Sequence, residues 1–482
     1  MNFGEYLPDL PDRDNPGLTV AKNCVPHGVS YKELSSQVVY SDALTARARG
    51  FISALASDGT PHNYAGDATS LYSLSSASWA DVTSLAGTYS TDNWWEFTKW
   101  GEKIIGVNGH TDSPQIITMG GANFADLSGS PPAAKHIAAV RDFVVLGNIN
   151  DGTAYPSRLH WSAINDETSW TAGTDQSDVQ DLLTGGWIQR IIGGEYGIVF
   201  CDSSIYRMTY VGYPFIFQID EVEPGRGTPA PGSVVQFGDA IFYLGRDGFY
   251  IFNGAVSTPI GVNKIDKTFY ADLDQNYYDR IYAVIDPINT LVFWSYPGTG
   301  NTSGLSNRII CYNWATQRWS GPIETEQEIL ISSLSDGYTL DSLGAAYSSL
   351  DALPFSLDSR VWQGGSVLLS GFNSDHKLVN FTGDALTAEF ETGEVNLNAG
   401  GRAFINGVRP LFDGDGTATI QIGARNMVNG TVTYTAASAQ NSQTGICDQR
   451  SNAYYHRIKM TISGGFSHAY GYEPYFRQAG RK

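Results

Sequence analysis

The sequence predicts an all-β protein, a β-propeller followed by a C-terminal β-sandwich-like domain. Three observations carry that expectation. Residues 233–254 read as three short strands around two glycine turns. The same pattern recurs along the chain. From about residue 385 the style changes to longer, alternating strands.

The stretch 233–254 is SVVQFGDAIFYLGRDGFYIFNG. Gly238-Asp239 and Gly245-Arg246-Asp247-Gly248 supply its turns, because tight hairpins need residues that tolerate positive φ. Between them, Ala240, Phe242 and Leu244 share one face, and Ile241 and Tyr243 the other. A strand apolar on both faces belongs in a sheet covered on both sides. A propeller blade packed between two neighbours meets that condition.

Residues 194–201 repeat the pattern at an offset of about 44 residues, within the range of propeller blades. Looser copies run from 141–148 to 158–162, 101–108 to 115–118, 286–295 to 308–313, 364–371 to 377–381 and 49–58 to 70–74. That gives about seven blades at a spacing of roughly 40–50 residues, with one longer gap. The repeat is degenerate and leaves six or eight open.

A chain of 482 residues accommodates a propeller and one further domain. The expected division is an extended leader (1–48), the propeller (49–384) and the C-terminal domain (385–482). The leader is made extended by Pro8, Pro11 and Pro16 and has apolar anchors. It either lies across another subunit or forms a local arm over the propeller edge. Tyr6, Leu7, Pro8, Leu10 and Pro11 are its candidate assembly interface. Deleting 1–22 is expected to lower assembly and leave the fold intact.

Trp79, Trp94, Trp95 and Trp100 read as wedges between blades, with a sugar platform as the less expected role. The stretches 158–170 and 311–321 read as structural turns that pin a Trp. Residues 215–231 read as a long Pro/Gly connection. Its Asp220, Glu221 and Glu223 alternate in direction, which favours a solvated loop over paired acid and base. Residues 325–357 read as an insertion with a short helix near 341–347. Beyond 385, alternation in 417–424 and 454–462 gives each strand one buried and one wet face. A basic tail closes the chain.

The balance of 49 Asp+Glu against 30 Lys+Arg gives a net charge of −19. A protein that grips phosphates presents a basic face, so specific nucleic-acid binding is not expected. Solubility is the ordinary account of such a balance. A surface past which DNA slides without sticking is the sharper one. Cys24, Cys201, Cys311 and Cys447 are far apart, with no CxxC or Cys/His cluster, so no metal or other cofactor is expected. They fit reduced thiols in a chain made in the cytosol. The first residues lack a signal peptide's basic and apolar regions. No run of 18 apolar residues suggests a membrane-spanning helix.

No P-loop, GxSxG or HExxH motif occurs. His136, His160, His456 and His468 are expected as structural hydrogen-bonders. Asp413-Gly414-Asp415-Gly416 reads as a hairpin turn, since a calcium loop needs a later, spaced carboxylate. No catalytic residue is assigned, and the expectation is a protein that is not an enzyme.

Four stretches carry a family resemblance: FGEYLPDLPDRDNPGLTVAKNCVPHGVSYKELSS (3–36), NDGTAYPSRLHWSAINDETSW (150–170), QIDEVEPGRGTPAPGSVVQFGDAIFYLGRDGFYIFNG (218–254) and QRSNAYYHRIKMTISGGFSHAYGYEP (449–474). Together they resemble the tail hub, or nozzle, proteins of short-tailed bacteriophages, a family that includes packaged-DNA stabilisation proteins. The likeness spans most of the chain and carries no catalytic motif. It implies a structural virion protein, made in the host cytoplasm, that forms a homohexameric ring below the portal and the tail adaptor. Such a ring extends the DNA ejection channel, retains packaged DNA and supports tail fibres or spikes. DNA passes without specific binding, and no membrane insertion is implied. No binding residue carries over. Read from the residues alone, the alternative is a carbohydrate-binding or sialidase-like propeller that recognises a host receptor, with its sugar site around Trp79, Trp94 and Trp161.

Overall fold

A computed structural model describes the chain except residues 14, 91–92, 335–348, 350–352, 354–366 and 481–482. Seven four-stranded antiparallel units follow one another and form the blades of a propeller. Their first strands are Gly50–Leu55, Glu96–Trp100, Ala133–Val140, Ile188–Ile192, Val235–Phe237, Tyr282–Asp286 and Ile329–Leu334. Each packs beside the next around a central channel, and the seventh returns to the first.

The ring is closed by the other end of the propeller sequence. Blade seven runs Ile329–Leu334, Val367–Phe372, Lys377–Ala385, and its outer strand is Ser35–Ala43. That strand covers an edge that would otherwise be open for pairing. Part of the leader therefore is an arm over the propeller edge.

Blade five shows why these residues fold this way. Its strands Val235–Phe237, Ala240–Leu244 and Phe249–Phe252 reproduce the three read in 233–254. Gly238 turns between the first two at φ +58°, where a side chain would be strained. Ile241, Phe242, Tyr243 and Leu244 are all buried. Phe249 packs against Phe269, Trp294 and Trp319 at ring-centroid distances of 4.8, 4.9 and 5.2 Å. Each fully buried side chain of this size contributes about 1.5–3 kcal/mol through the apolar surface it removes from water.

All seven repeat candidates fall in different blades. Six mark second strands; the seventh, 49–58, marks a first strand, Gly50–Leu55, whose neighbour is Pro61–Gly66. The connection expected at 215–231 holds the strand Ile216–Pro224, the outer strand of blade four. Its carboxylates are placed by that strand and not by a loop. Within 325–357, Ile329–Leu334 is a blade strand. The helix expected near 341–347 lies outside the described residues.

The C-terminal part forms two sheets. One runs Cys24–His27, Ser30–Glu33, His468–Ala479, Arg402–Asp413, Cys447–Ala453. The other contains Leu18–Lys22, Ala388–Thr392, Tyr455–Ser463, Thr417–Arg425 and Thr433–Tyr434. Ile420 pairs with Met460 and Ile422 with Ile458. All four side chains are buried.

The leader is woven into this body. Leu18–Lys22 pairs on one side with Arg318–Ile323, the outer strand of blade six, and on the other with Ala388–Thr392. A single ten-stranded sheet thus runs from the propeller into the sandwich. Phe3 stacks on Phe390 at 5.0 Å. Met1 and Tyr472 exchange hydrogen bonds through Met1 N to Tyr472 O and Tyr472 N to Met1 O.

This placement corrects the leader expectations. Tyr6 and Leu7 are buried inside the chain's own core, and Leu7 N donates to Leu18 O at 2.8 Å. Of the candidate interface, Pro8 and Leu10 are half-buried and only Pro11 is exposed. A deletion of 1–22 removes a strand paired on both sides, so it cannot leave the fold intact.

Candidate functional site at the mouth of the central channel

Each blade's first strand begins at the same end of the channel, so residues at those starts converge from different blades. Two adjoining cavities of about 420 and 340 Å³ lie there. They share Trp95, Glu96, Arg190, Gly232 and Tyr282. The larger cavity is the channel's interior, with Phe51, Phe97, Ile192, Val234 and Leu330 among the residues on its wall. The smaller is the mouth, where Trp94, Trp187, Lys135, His136 and Gln189 join the shared group.

Glu96 organises the boundary between the two. Its Oε2 lies 2.9 Å from His136 Nδ1 and 2.9 Å from Arg190 Nη1, and its Oε1 accepts from Ile137 N at 3.2 Å. The three side chains come from blades two, three and four. Burial acts against the charged carboxylate, but Arg190, His136 and the hydrogen bonds outweigh it and hold its pKa below the usual range. The group is an ionised clasp between blades, and its carboxylate is already engaged. Arg190 keeps a buried Nε with no partner among the described residues.

A second clasp joins blade seven to blade one. Glu328 Oε2 accepts from Ala48 N at 2.8 Å, and Oε1 meets His376 Nδ1 at 2.6 Å. Burial raises the Glu328 pKa, against the pull of Ala48 N–H, His376 and Arg47. Arg47 sits over Trp94 at 5.5 Å, and Trp94 packs edge-on to Tyr282 at 5.3 Å. Trp94 Nε1 donates to Asp279 at 3.3 Å.

The sequence expectations divide here. Of the three proposed sugar-site tryptophans, only Trp94 lines the mouth. Trp79 packs on Phe372 at 5.8 Å and donates to Ser41 Oγ. Trp161 is 3% exposed and donates to Gln176 O, within blade three. Trp187, 57% exposed at the channel mouth, was not singled out by sequence. Neither were Glu96, Lys135 and Arg190. They lie 39 and 55 residues apart in different blades, and what they share is a position on the first strand of a blade.

Other singled-out residues are structural. His160 Nε2 meets Trp170 O at 3.0 Å, and His468 Nδ1 meets Ser30 Oγ at 2.8 Å. His456 departs from the expectation, because both its ring nitrogens are buried without a partner among the described residues. Burial lowers its pKa to about 4, so the ring is neutral at pH 7. Residues 413–416 depart from the expected hairpin turn, because they connect Arg402–Asp413 in one sheet to Thr417–Arg425 in the other, two strands that do not pair with each other. All four cysteines are buried and unpaired. Among the described residues, no helix is long and apolar enough to cross a membrane.

No protein-family model matches the chain, and no curated protein does. Among solved structures, the chain is similar to the extracellular domain of a one component system from B. thetaiotaomicron, with 10% identity and a TM-score of 0.41. That match covers 86% of this chain and 47% of the other, so the chain spans about half the length of that protein. It is also similar to U3-55K, with 8% identity, a TM-score of 0.42 and 72% and 98% of the two chains covered. The WD40 domain of Neurospora crassa Pan2 shows 7% identity, a TM-score of 0.41 and 74% and 97% coverage. The blades themselves are defined by this chain's own strand pairing.

Proposed function

We propose that this chain is a structural subunit of a short phage tail, a nozzle that assembles as a six-membered ring and does no chemistry of its own. The observation that carries the reading is the ten-stranded sheet shared by blade six and the sandwich. It makes two folded parts one stiff body, as a load-bearing tube requires. The resemblance of the four sequence stretches supplies the place of that body, below the portal and adaptor. Ring contacts must then come from surfaces the fold leaves free. The hairpin tip of blade four is one: Val211, Tyr213 and Phe215 stand out at 49%, 87% and 79% exposure. Monomeric proteins rarely expose aromatic side chains together in this way. The net charge of −19 suits a channel through which DNA slides.

The test is the mass and symmetry of the purified chain, by light scattering and negative-stain imaging, alone and with the adjoining tail proteins. A six-fold ring with a central hole is the expected result. A monomer that never assembles with those proteins overturns it. The carbohydrate-binding alternative is favoured by one feature, the exposed Trp187 at the channel mouth, and it allows that persistent monomer.

A further inference from the structure

We propose that the mouth of the propeller channel is a binding site for a small acidic sugar, one pyranose ring bearing a carboxylate. The site is independent of ring assembly, since a ring subunit and a free-standing protein can both carry it.

Three features point to this ligand. The mouth cavity, about 340 Å³, is in the range of small-ligand sites and suits a single sugar ring with its waters. Trp94 and Trp187 both line it, and Trp187 is 57% exposed, a large unused aromatic surface for the C–H face of a pyranose. The third feature is charge. Lys135 lines the same cavity, and among the described residues it has no carboxylate partner. Arg190 beside it lines the same cavity with a side chain that is 30% exposed. A ligand carboxylate between these two cations would gain charge-assisted hydrogen bonds.

Local carboxylates set the orientation. Glu96 is paired with Arg190 and hydrogen-bonded to His136, so it does not repel an anion strongly. Asp279 has no cationic partner among the described residues and lies on the Trp94 side, where Trp94 Nε1 donates to it. The ligand's acid group therefore turns toward Lys135, and its hydroxyls face Asp279 and the Gln189 side of the cavity.

The test is calorimetric titration of the full chain at low ionic strength with glucuronate, N-acetylneuraminate, glucose and acetate. At least one of the two acidic sugars is expected to bind with a Kd of about 1 mM or below, and glucose and acetate at least about tenfold more weakly. Which acidic sugar binds separates the two ring types. Lys135→Gln is expected to remove the preference over glucose, and Trp187→Ala to weaken the acidic sugar by about tenfold or more. Among the described residues neither side chain makes a hydrogen bond or ion pair, so melting temperatures should match the parent chain. No acidic sugar bound at about 10 mM overturns the proposal. So does binding that neither substitution changes. A ring that forms without binding any sugar leaves the nozzle reading standing and sinks this one.

Discussion

Asp266 shows how much a single buried group sets the conditions under which this fold is stable. It opens the helix Asp266–Asp272 and is 6% exposed. Its Oδ1 accepts from Phe249 N at 3.2 Å, while Oδ2 has no partner among the described residues. Gly248 and Gly261 press against it. A Cβ on Gly248 would lie 2.4 Å from Oδ2, and one on Gly261 1.9 Å from Oδ1. Burial raises the Asp266 pKa to about 7, helped by Asp9 and Asp247 and opposed by the Phe249 N–H. In the unfolded chain the group ionises near pH 4. Between about pH 4 and 7 the folded state therefore keeps a proton that the unfolded state has lost. The stability from this group is complete below pH 4 and is lost as pH rises through 7. At about 1.4 kcal/mol per pH unit, the loss reaches up to about 4 kcal/mol. Asp266→Asn keeps the shape without the charge. It is expected to stabilise the chain by about 2–4 kcal/mol at pH 8 and to change little at pH 4. Urea denaturation at both pH values checks this, and an equal effect at both would show packing rather than charge as the cause. Reading 245–248 as a turn found the glycine at 248 but not its second role, because Asp266 lies 18 residues on and meets it only in the fold.

At the scale of elements, the same helix is held by the leader. Asp9 Oδ1 accepts from Thr268 N at 2.8 Å and Thr268 Oγ1 at 2.7 Å, and Oδ2 accepts from Lys267 N at 2.9 Å. The helix has no side-chain cap of its own, since Ile265 stands at the N-cap. Asp9 supplies from a distance what a local Ser or Asp normally supplies. Asp9→Ala is expected to cost about 1 kcal/mol near pH 5. Near pH 8 the cost should be smaller, because Asp9 then also repels ionised Asp266. Denaturation curves at the two pH values read both parts. Such elements explain what the sequence reading could and could not reach. Second strands of blades were legible because being buried on both faces leaves a continuous apolar run between glycine turns. The leader strands were not, because Leu18–Lys22 and Tyr31 pair with residues near 390 and 469. Cys24–His27 contains Pro26, which argues against a strand until its place at a sheet edge is known. The channel mouth had no single local motif, because its lining is assembled from short groups of residues in five different blades.

For the whole molecule, the question is whether propeller and sandwich behave as one body. Alanine 21 is the position that decides it. Ala21 pairs with Gly321 in blade six and with Phe390 in the sandwich, and it is fully buried. It is the register point at which the strand is bonded on both sides. Around it, Arg457 bonds Asp12 of the leader and lies 3.1 Å from Glu394, and Arg425 Nη2 donates to Glu394 at 2.6 Å. These contacts brace the leader against the sandwich. The intact chain is expected to melt in one calorimetric transition, because neither part can lose its edge strand alone. Ala21→Pro removes an N–H and forces a ring into a central strand, a position where proline is not tolerated. The seven blades retain their own pairing and their closure by Ser35–Ala43. The expected outcome is therefore two transitions, with the sandwich melting first and the propeller near its original temperature. Two transitions already present in the unaltered chain would show that the shared sheet does not couple the parts. The stiffness that supports the nozzle reading would then have no source in this fold.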